Sequence, residues 1–166
     1  MIQSNQLWID ANTHFLRLPP LELITLCVYG EARGESPAGR QAVMNVIRNR
    51  MRTFGRYSDP GIRRCGLGKE FHSVILKKWQ FSCFNIGDPN RQKLINISSD
   101  VIREVRCNKS LRAIYSMTIF FSDMSDNTDG ANLYHYIHMK EYPSWALSDK
   151  VTKTVEIGRH IFYKEV

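Results

Sequence analysis

Several absences narrow this sequence before any motif is read. No apolar run approaches the roughly 18–20 residues that cross a bilayer, so a membrane-spanning helix is excluded. The opening, MIQSNQLWIDANTHF, has neither the basic start nor the apolar block of a secretory signal. The expectation is synthesis in a cytoplasm, with any exit by another route. The four cysteines (Cys27, Cys65, Cys83, Cys107) form no C-x-x-C pair. They read as free and mostly buried thiols of a reducing compartment, with zinc among them the lesser reading. There is no G-x-S-x-G elbow, and GLGKE at 66–70 lacks the spacing of a phosphate loop. Repeats, low-complexity tracts and Ser/Pro linkers are also missing. The organisation expected is an N-terminal arm, residues 1–18, followed by one domain over 19–166.

What is present fits a globular chain. Of the 166 residues, 43% are hydrophobic and 23% charged, enough apolar material for a real core. The net charge of +7 is concentrated: ten Lys/Arg between Arg40 and Lys78 face only Asp59 and Glu70, which leaves the rest near neutral. Such a block suits a polyanionic surface such as an anionic wall polymer or membrane, or else is simply a solvated face. Aromatics interleave with it only at Phe54, Tyr57 and Trp79, so no nucleic-acid partner is expected.

Helical periodicity begins at Pro19-Pro20 and runs to about Ala32, with proline suited to the first turn. Leu23, Cys27 and Glu31 fall at i, i+4 and i+8, so Glu31 prolongs an apolar stripe. Ser36-Pro37 reads as a cap and first residue of a second helix over about 37–53. That helix would bury Ala42, Val43, Val46, Ile47 and Met51, with Arg40, Arg48 and Arg52 outward. Residues 55–70 read as loop, FHSVILKKWQFS as a short helix entering irregular backbone, and 91–107 and 109–121 as further helices. The segment MTIFF is open to a strand reading. SDNTDGA is a polar turn, and KVTKTVEIGRHIFYK alternates around Gly158-Arg159 as a β-hairpin. The fold class expected is α+β, mainly α, with a small C-terminal β-hairpin sheet.

A carboxyl group carried on an apolar face loses solvation when charged, which raises its pKa and suits proton donation to a departing oxygen. From local pattern alone, however, pairing of Glu31 with Arg33 or an arginine of the second helix is the leading reading. Glu35 sits where negative charge suits a helix start. His135-x-x-His138 could face one metal, but that segment looks extended and no third ligand is fixed, so no metal is expected.

The motifs in order carry more. YGEARGESPAGRQAVMNVIRNRM resembles the opening of the SleB/CwlJ-type cell wall hydrolases. VILKKWQFSCFN resembles their Q-F-S-C-W-N region, DGANLYHY their G-A-x-x-Y segment, PSW their P-x-W, and TVEIGRHIFYK their closing hairpin. The resemblance spans about residues 21–164. It departs at Leu133, where the family often has an aromatic, at Phe84, where tryptophan is common, and in the basic loop from Arg56 to Gly68. It implies a lysozyme-like, lytic transglycosylase-like domain that needs no cofactor. It also implies that Glu31, the first glutamate of E-A-R-G-E, is the acid and base, overturning the local reading. Gln80, Ser82, Asn85 and Tyr134 match positions that line the glycan cleft, and Glu35 joins them as a candidate substrate residue.

The function so implied is cleavage of the MurNAc–GlcNAc β-1,4 bond of peptidoglycan glycan strands by a monomeric enzyme, as a lytic transglycosylase giving a 1,6-anhydro product, with hydrolysis of the same bond by a muramidase also open. With no signal and a basic surface, a phage endolysin released from a host cytoplasm to the wall is the expected setting. Two other readings stay open: a metal-dependent N-acetylmuramoyl-L-alanine amidase using His135 and His138, and a basic module that binds wall polymer or nucleic acid without turnover.

Overall fold

The computed structural model describes residues 2–166, with side chains from residue 6 onward. Helix α3 (Pro20–Ala32) is the spine: Leu23 through Tyr29 are all buried, a helix enclosed on every side rather than one with a single apolar face. Proline begins it, as the sequence predicts. Helix α4 (Pro37–Arg52) begins on Ser36, whose hydroxyl accepts from Gly39 N–H at 3.3 Å. It buries Ala42, Val43, Val46 and Ile47 as expected, and Met44 as well, whereas Met51 is half-buried.

The first 18 residues differ from the expected arm. They are helical over α1 (Ile2–Ala11) and α2 (Thr13–Leu16). Trp8, Phe15 and Leu18 enter the same core as α3, and Trp8 Nε1 donates to the Leu76 carbonyl at 2.8 Å. The physical reason is the spacing of large apolar groups at Trp8 and Phe15, which only the core can cover.

The predicted loop over 55–70 contains two single-turn helices, α5 (Phe54–Tyr57) and α6 (Pro60–Arg63), the latter capped by Asp59. Helix α7 (Glu70–Ile75) leads into a turn-rich stretch and a 3-10 turn over Ser82–Phe84. The helix expected over 91–107 is two: α8 (Arg91–Ser98) and α9 (Val101–Cys107). Asp100 divides them because its carboxylate accepts from Arg103 N–H, starting a new helix. Helix α10 (Lys109–Thr118) crosses α3, where the Thr25 and Thr118 hydroxyls meet at 3.0 Å in the core. MTIFF is therefore a helix end and turn rather than a strand.

The sheet holds one strand more than the hairpin. β1 (Leu133–Tyr136) pairs with β3 (His160–Glu165), which pairs with β2 (Val151–Ile157), all antiparallel in the order β1-β3-β2. Gly158 turns the hairpin at φ 60°, the left-handed position that a tight two-residue loop reserves for glycine. Phe162 and Ala131 pack on Ala42 and Val46, which fixes the sheet against α4 and brings β1 beside the end of α3. The architecture is the mainly helical α+β class expected. Among the described residues no helix is long and apolar enough to cross a membrane.

Candidate active site

The last turn of α3 ends in an open cleft of about 600 Å³, with Gly30 and Glu31 at its base. Two parts of the chain supply its walls: Trp79, Gln80, Ser82 and Asn90 come from the stretch around the 3-10 turn, and Tyr134, Tyr136, Trp145 and His160 from the sheet and the segments beside it. Glu31 is the one carboxylate among these lining residues.

Three donors hold that carboxylate. Oε1 accepts from the Cys83 backbone N–H at 2.9 Å and from the Ser82 hydroxyl at 3.3 Å. Oε2 accepts from the Tyr134 hydroxyl at 2.8 Å. The partners are not equivalent. An amide N–H can only donate, so Oε1 is always an acceptor, while a phenol can donate or accept. Oε2 is thus the oxygen able to carry a proton and release it. Burial and the neighbouring Glu31 push the Tyr134 phenol well above its ordinary pKa, so it stays protonated.

Gly30 makes this arrangement possible. A Cβ there would lie 2.6 Å from Cys83 Cβ and 2.7 Å from its Sγ. Without it, the 3-10 turn comes close enough for its amide to reach Glu31. Burial pushes both the Cys27 and Cys83 thiols up, so they are packing groups here rather than nucleophiles. Cys65 and Cys107, by contrast with the expectation of mostly buried thiols, are exposed.

Of the residues singled out from sequence, Glu31, Gln80, Ser82 and Tyr134 meet in the cleft. Gln80 Oε1 is itself buried and has no hydrogen-bond partner. Asn85 does not line the cleft; its Oδ1 accepts from Trp79 N–H at 3.3 Å and shapes the rim. Glu35 is also outside the lining. It is buried at the α3–α4 junction, where its carboxylate meets Arg159 Nε at 2.7 Å and Arg159 N–H at 3.1 Å. Burial alone would push Glu35 up, but Arg159 outweighs it and holds the carboxyl below its ordinary value. Its place is that of a tie between helix junction and hairpin.

The histidines do not converge. His135 uses both ring nitrogens, on the Tyr136 carbonyl and the Tyr163 hydroxyl, and stacks on Tyr163. His138 packs beside Tyr136. Among the described residues no three His, Cys, Asp or Glu side chains gather as metal ligands would.

Sequence reasoning missed Arg50. Buried behind the cleft, its Nε donates to the Asn132 carbonyl at 2.7 Å and its Nη1 to the Gln80 carbonyl at 3.2 Å. It also lies over the Phe81 ring at 4.6 Å. One guanidinium thereby ties the two walls together. Its position in α4 on the face opposite Arg48 and Arg52 was the available signal. His160, also missed, borders Tyr134 edge-on at 5.3 Å; burial lowers its pKa and leaves it neutral at neutral pH.

A cell wall hydrolase family model matches residues 34–163. The chain belongs to the cell wall hydrolase family. That match begins just beyond Glu31. No curated protein matches the chain. Among solved structures, the catalytic domain of the Bacillus cereus SleB protein is similar at 22% identity and a TM-score of 0.56, over 87% of this chain and 89% of that one. The catalytic domain of the germination-specific lytic transglycosylase SleB from Bacillus anthracis is similar at 22% identity and a TM-score of 0.55, over 87% and 93%. These likenesses establish a shared fold: this cell wall hydrolase is built as the SleB catalytic domains are.

Proposed function

We propose that this cell wall hydrolase cleaves the β-1,4 bond between MurNAc and GlcNAc in peptidoglycan glycan strands, as a lytic transglycosylase with Glu31 as its single acid and base. The observation that carries the reading is the lone carboxylate at the base of an open cleft, held by Cys83 N–H and the Tyr134 hydroxyl. The usual glycosidase pairs two carboxylates across the bond; here chemistry that needs only one is favoured. Protonated at Oε2, Glu31 gives its proton to the glycosidic oxygen as the C1–O4 bond breaks, and the GlcNAc 4-hydroxyl departs. The positive charge left at C1 of MurNAc is relieved by its own 2-acetamido oxygen. The Glu31 carboxylate then takes the proton of the MurNAc 6-hydroxyl as O6 bonds to C1. Proton and charge return to their starting state, and the product carries a 1,6-anhydro end. Gln80 lines the cleft beside Glu31, and its carboxamide carries the donor and the acceptor that an N-acetyl group calls for.

The test is mass spectrometry of fragments released from purified peptidoglycan. A terminus one water lighter than a reducing end supports the transglycosylase, and a reducing end refutes it in favour of hydrolysis. Glu31→Gln should fold normally and lose at least about 10²–10⁴-fold in turnover, the usual contribution of general acid–base catalysis. The proposal extends to a lysis enzyme of the endolysin kind. Produced inside bacteria it should lyse them only once their membrane is permeabilised; lysis that ignores the membrane would argue against that setting.

A further inference from the structure

The turn that enters the 3-10 segment contains an anomaly that the proposed chemistry leaves unexplained. Trp79 has φ 68°, a left-handed conformation in which a bulky residue is an outlier. It occupies the third position of a turn closed by Gln80 N–H donating to the Lys77 carbonyl at 3.1 Å, a place where glycine would sit without strain. The indole gains no burial in exchange: it is 73% exposed at the mouth of the cleft. The Asn85 carboxamide holds its backbone N–H, and the Lys78 ammonium lies 5.4 Å from its ring. Strain retained without a packing gain points to use of the side chain itself.

We propose that Trp79 is a stacking platform for a pyranose ring of the strand, a specificity-determining residue that makes the enzyme prefer polymer over short fragments. This rests on the reading that the cleft takes a glycan. A hexopyranose with equatorial substituents presents a face of C–H groups, and a flat, electron-rich indole is the side chain that best matches it. Trp79 shares the cleft lining with Tyr136 and Trp145, so a strand passing Glu31 meets more than one aromatic ring. The turn, held by the Asn85 carboxamide on the Trp79 backbone N–H, sets where the indole leaves the chain, at the mouth of the cleft.

The experiment compares wild type, Trp79→Gly and Trp79→Phe on long glycan strands and on short glycan fragments, with melting temperatures for each. Trp79→Gly is expected to melt no lower than wild type, because it relieves the left-handed strain. It should raise KM on strands about tenfold with kcat nearly unchanged, and affect short fragments less; Trp79→Phe should stay within about threefold of wild type. In a Glu31→Gln, Trp145→Phe background, which removes the other tryptophan of the cleft lining, strands should shift the tryptophan emission, and Trp79→Gly should abolish the shift. Unchanged KM on strands, or a fall in melting temperature with normal KM, overturns the platform while leaving the bond assignment intact. Strand-dependent emission in a protein whose wild type releases no product keeps the platform and removes the proposed reaction. Loss of both refutes both. Trp79-dependent dimerisation in sedimentation, with no response to strands, also overturns the platform.

Discussion

Gly30→Ala tests how the site is assembled, because the two effects of one methyl group can be separated. Alanine favours a helix interior over glycine by about 1 kcal/mol, so propensity alone would make the variant more stable. Against that, the new Cβ would stand 2.6 Å from Cys83 Cβ, 2.7 Å from its Sγ and 3.1 Å from Leu94 Cδ1. Contacting carbons sit at about 3.5–4.0 Å, so the 3-10 turn must retreat by about 1 Å. Overpacking of this kind costs about 1–3 kcal/mol, leaving a net loss between about zero and 2 kcal/mol. The same retreat takes Cys83 N–H from 2.9 Å to beyond hydrogen-bond reach of Glu31 Oε1. A hydrogen bond to a charged group contributes about 1.5–3 kcal/mol, so kcat/KM should fall by at least about tenfold if Oε1 needs it for orientation. Thermal melts and turnover on purified sacculi read the two effects separately. Adding Cys83→Gly removes the opposing Cβ, and the double variant should recover more than the sum of its parts predicts. A Gly30→Ala enzyme with wild-type melting and kcat/KM would show that the methyl is accommodated without moving the turn, and the account of Gly30 would be wrong.

Tyr134→Phe keeps the ring stacked on Phe162 and removes the hydroxyl on Glu31 Oε2; we expect kcat/KM to fall by about tenfold or more with little change in melting temperature, and a large melting change with intact turnover would contradict this. Burial lowers the pKa of His72 and His160 below their ordinary 6.5, so the unfolded chain binds protons that the folded one refuses. Stability should therefore fall as pH drops below about 6.5 and fall again below the ordinary carboxylate range, where Glu35 loses its pairing with Arg159; denaturant melts at about pH 7.5, 6, 5 and 3.5 should show both falls, and a flat or rising profile toward acid would refute it. Arg63 and Arg64 are exposed within the basic block, and reversing both to Glu should weaken binding to intact sacculi, an effect that added salt mimics over a screening length of about 8–10 Å. Equal losses on short soluble fragments would place them in the site instead.

The helices legible in the sequence are those whose ends carry their own chemistry. Pro20 at the start of α3 and Ser36-Pro37 at the start of α4 mark boundaries that local hydrogen bonding enforces. The division between α8 and α9 is signalled by Asp100 alone, and apolar periodicity continues through it and hides the break. The N-terminal helices are hidden for another reason. The run from Gln3 to Gln6 is entirely polar, and nothing local reveals that Trp8 finds its acceptor on Leu76. The basic block is only partly the solvated face it resembles. A charge run looks the same in sequence whether solvated or not, yet Arg50 is buried, while Arg40 and Arg48 donate to the Arg33 and Met124 carbonyls. Those cations still add to the positive field, but they also satisfy backbone oxygens, so their reversal would test the fold before it tested wall attraction.

The site divides along the same line. Glu31 could be placed at a helix end from periodicity, but what holds its carboxylate in the cleft comes from 52 and 103 residues further along the chain, at Cys83 and Tyr134. One of those contributions is a backbone amide, which no residue identity announces. The only local trace is Gly30, since a helix tolerates glycine at a buried position when another backbone must come close. Glu35 carries the complementary lesson. It shares with Glu31 a glycine neighbour and a helix end, and four residues of spacing separate them, yet its carboxylate faces the hairpin and is neutralised by Arg159. The difference is set by the partner on the opposite side. Arg159 occupies the turn of a hairpin whose Gly158 leaves no room for a Cβ against the Glu35 carboxylate, whereas a phenol and an amide that carry no charge meet Glu31. A paired carboxylate is committed to its cation and poorly placed to exchange a proton with substrate. A carboxylate held by neutral donors, open to the cleft on its remaining side, keeps that capacity.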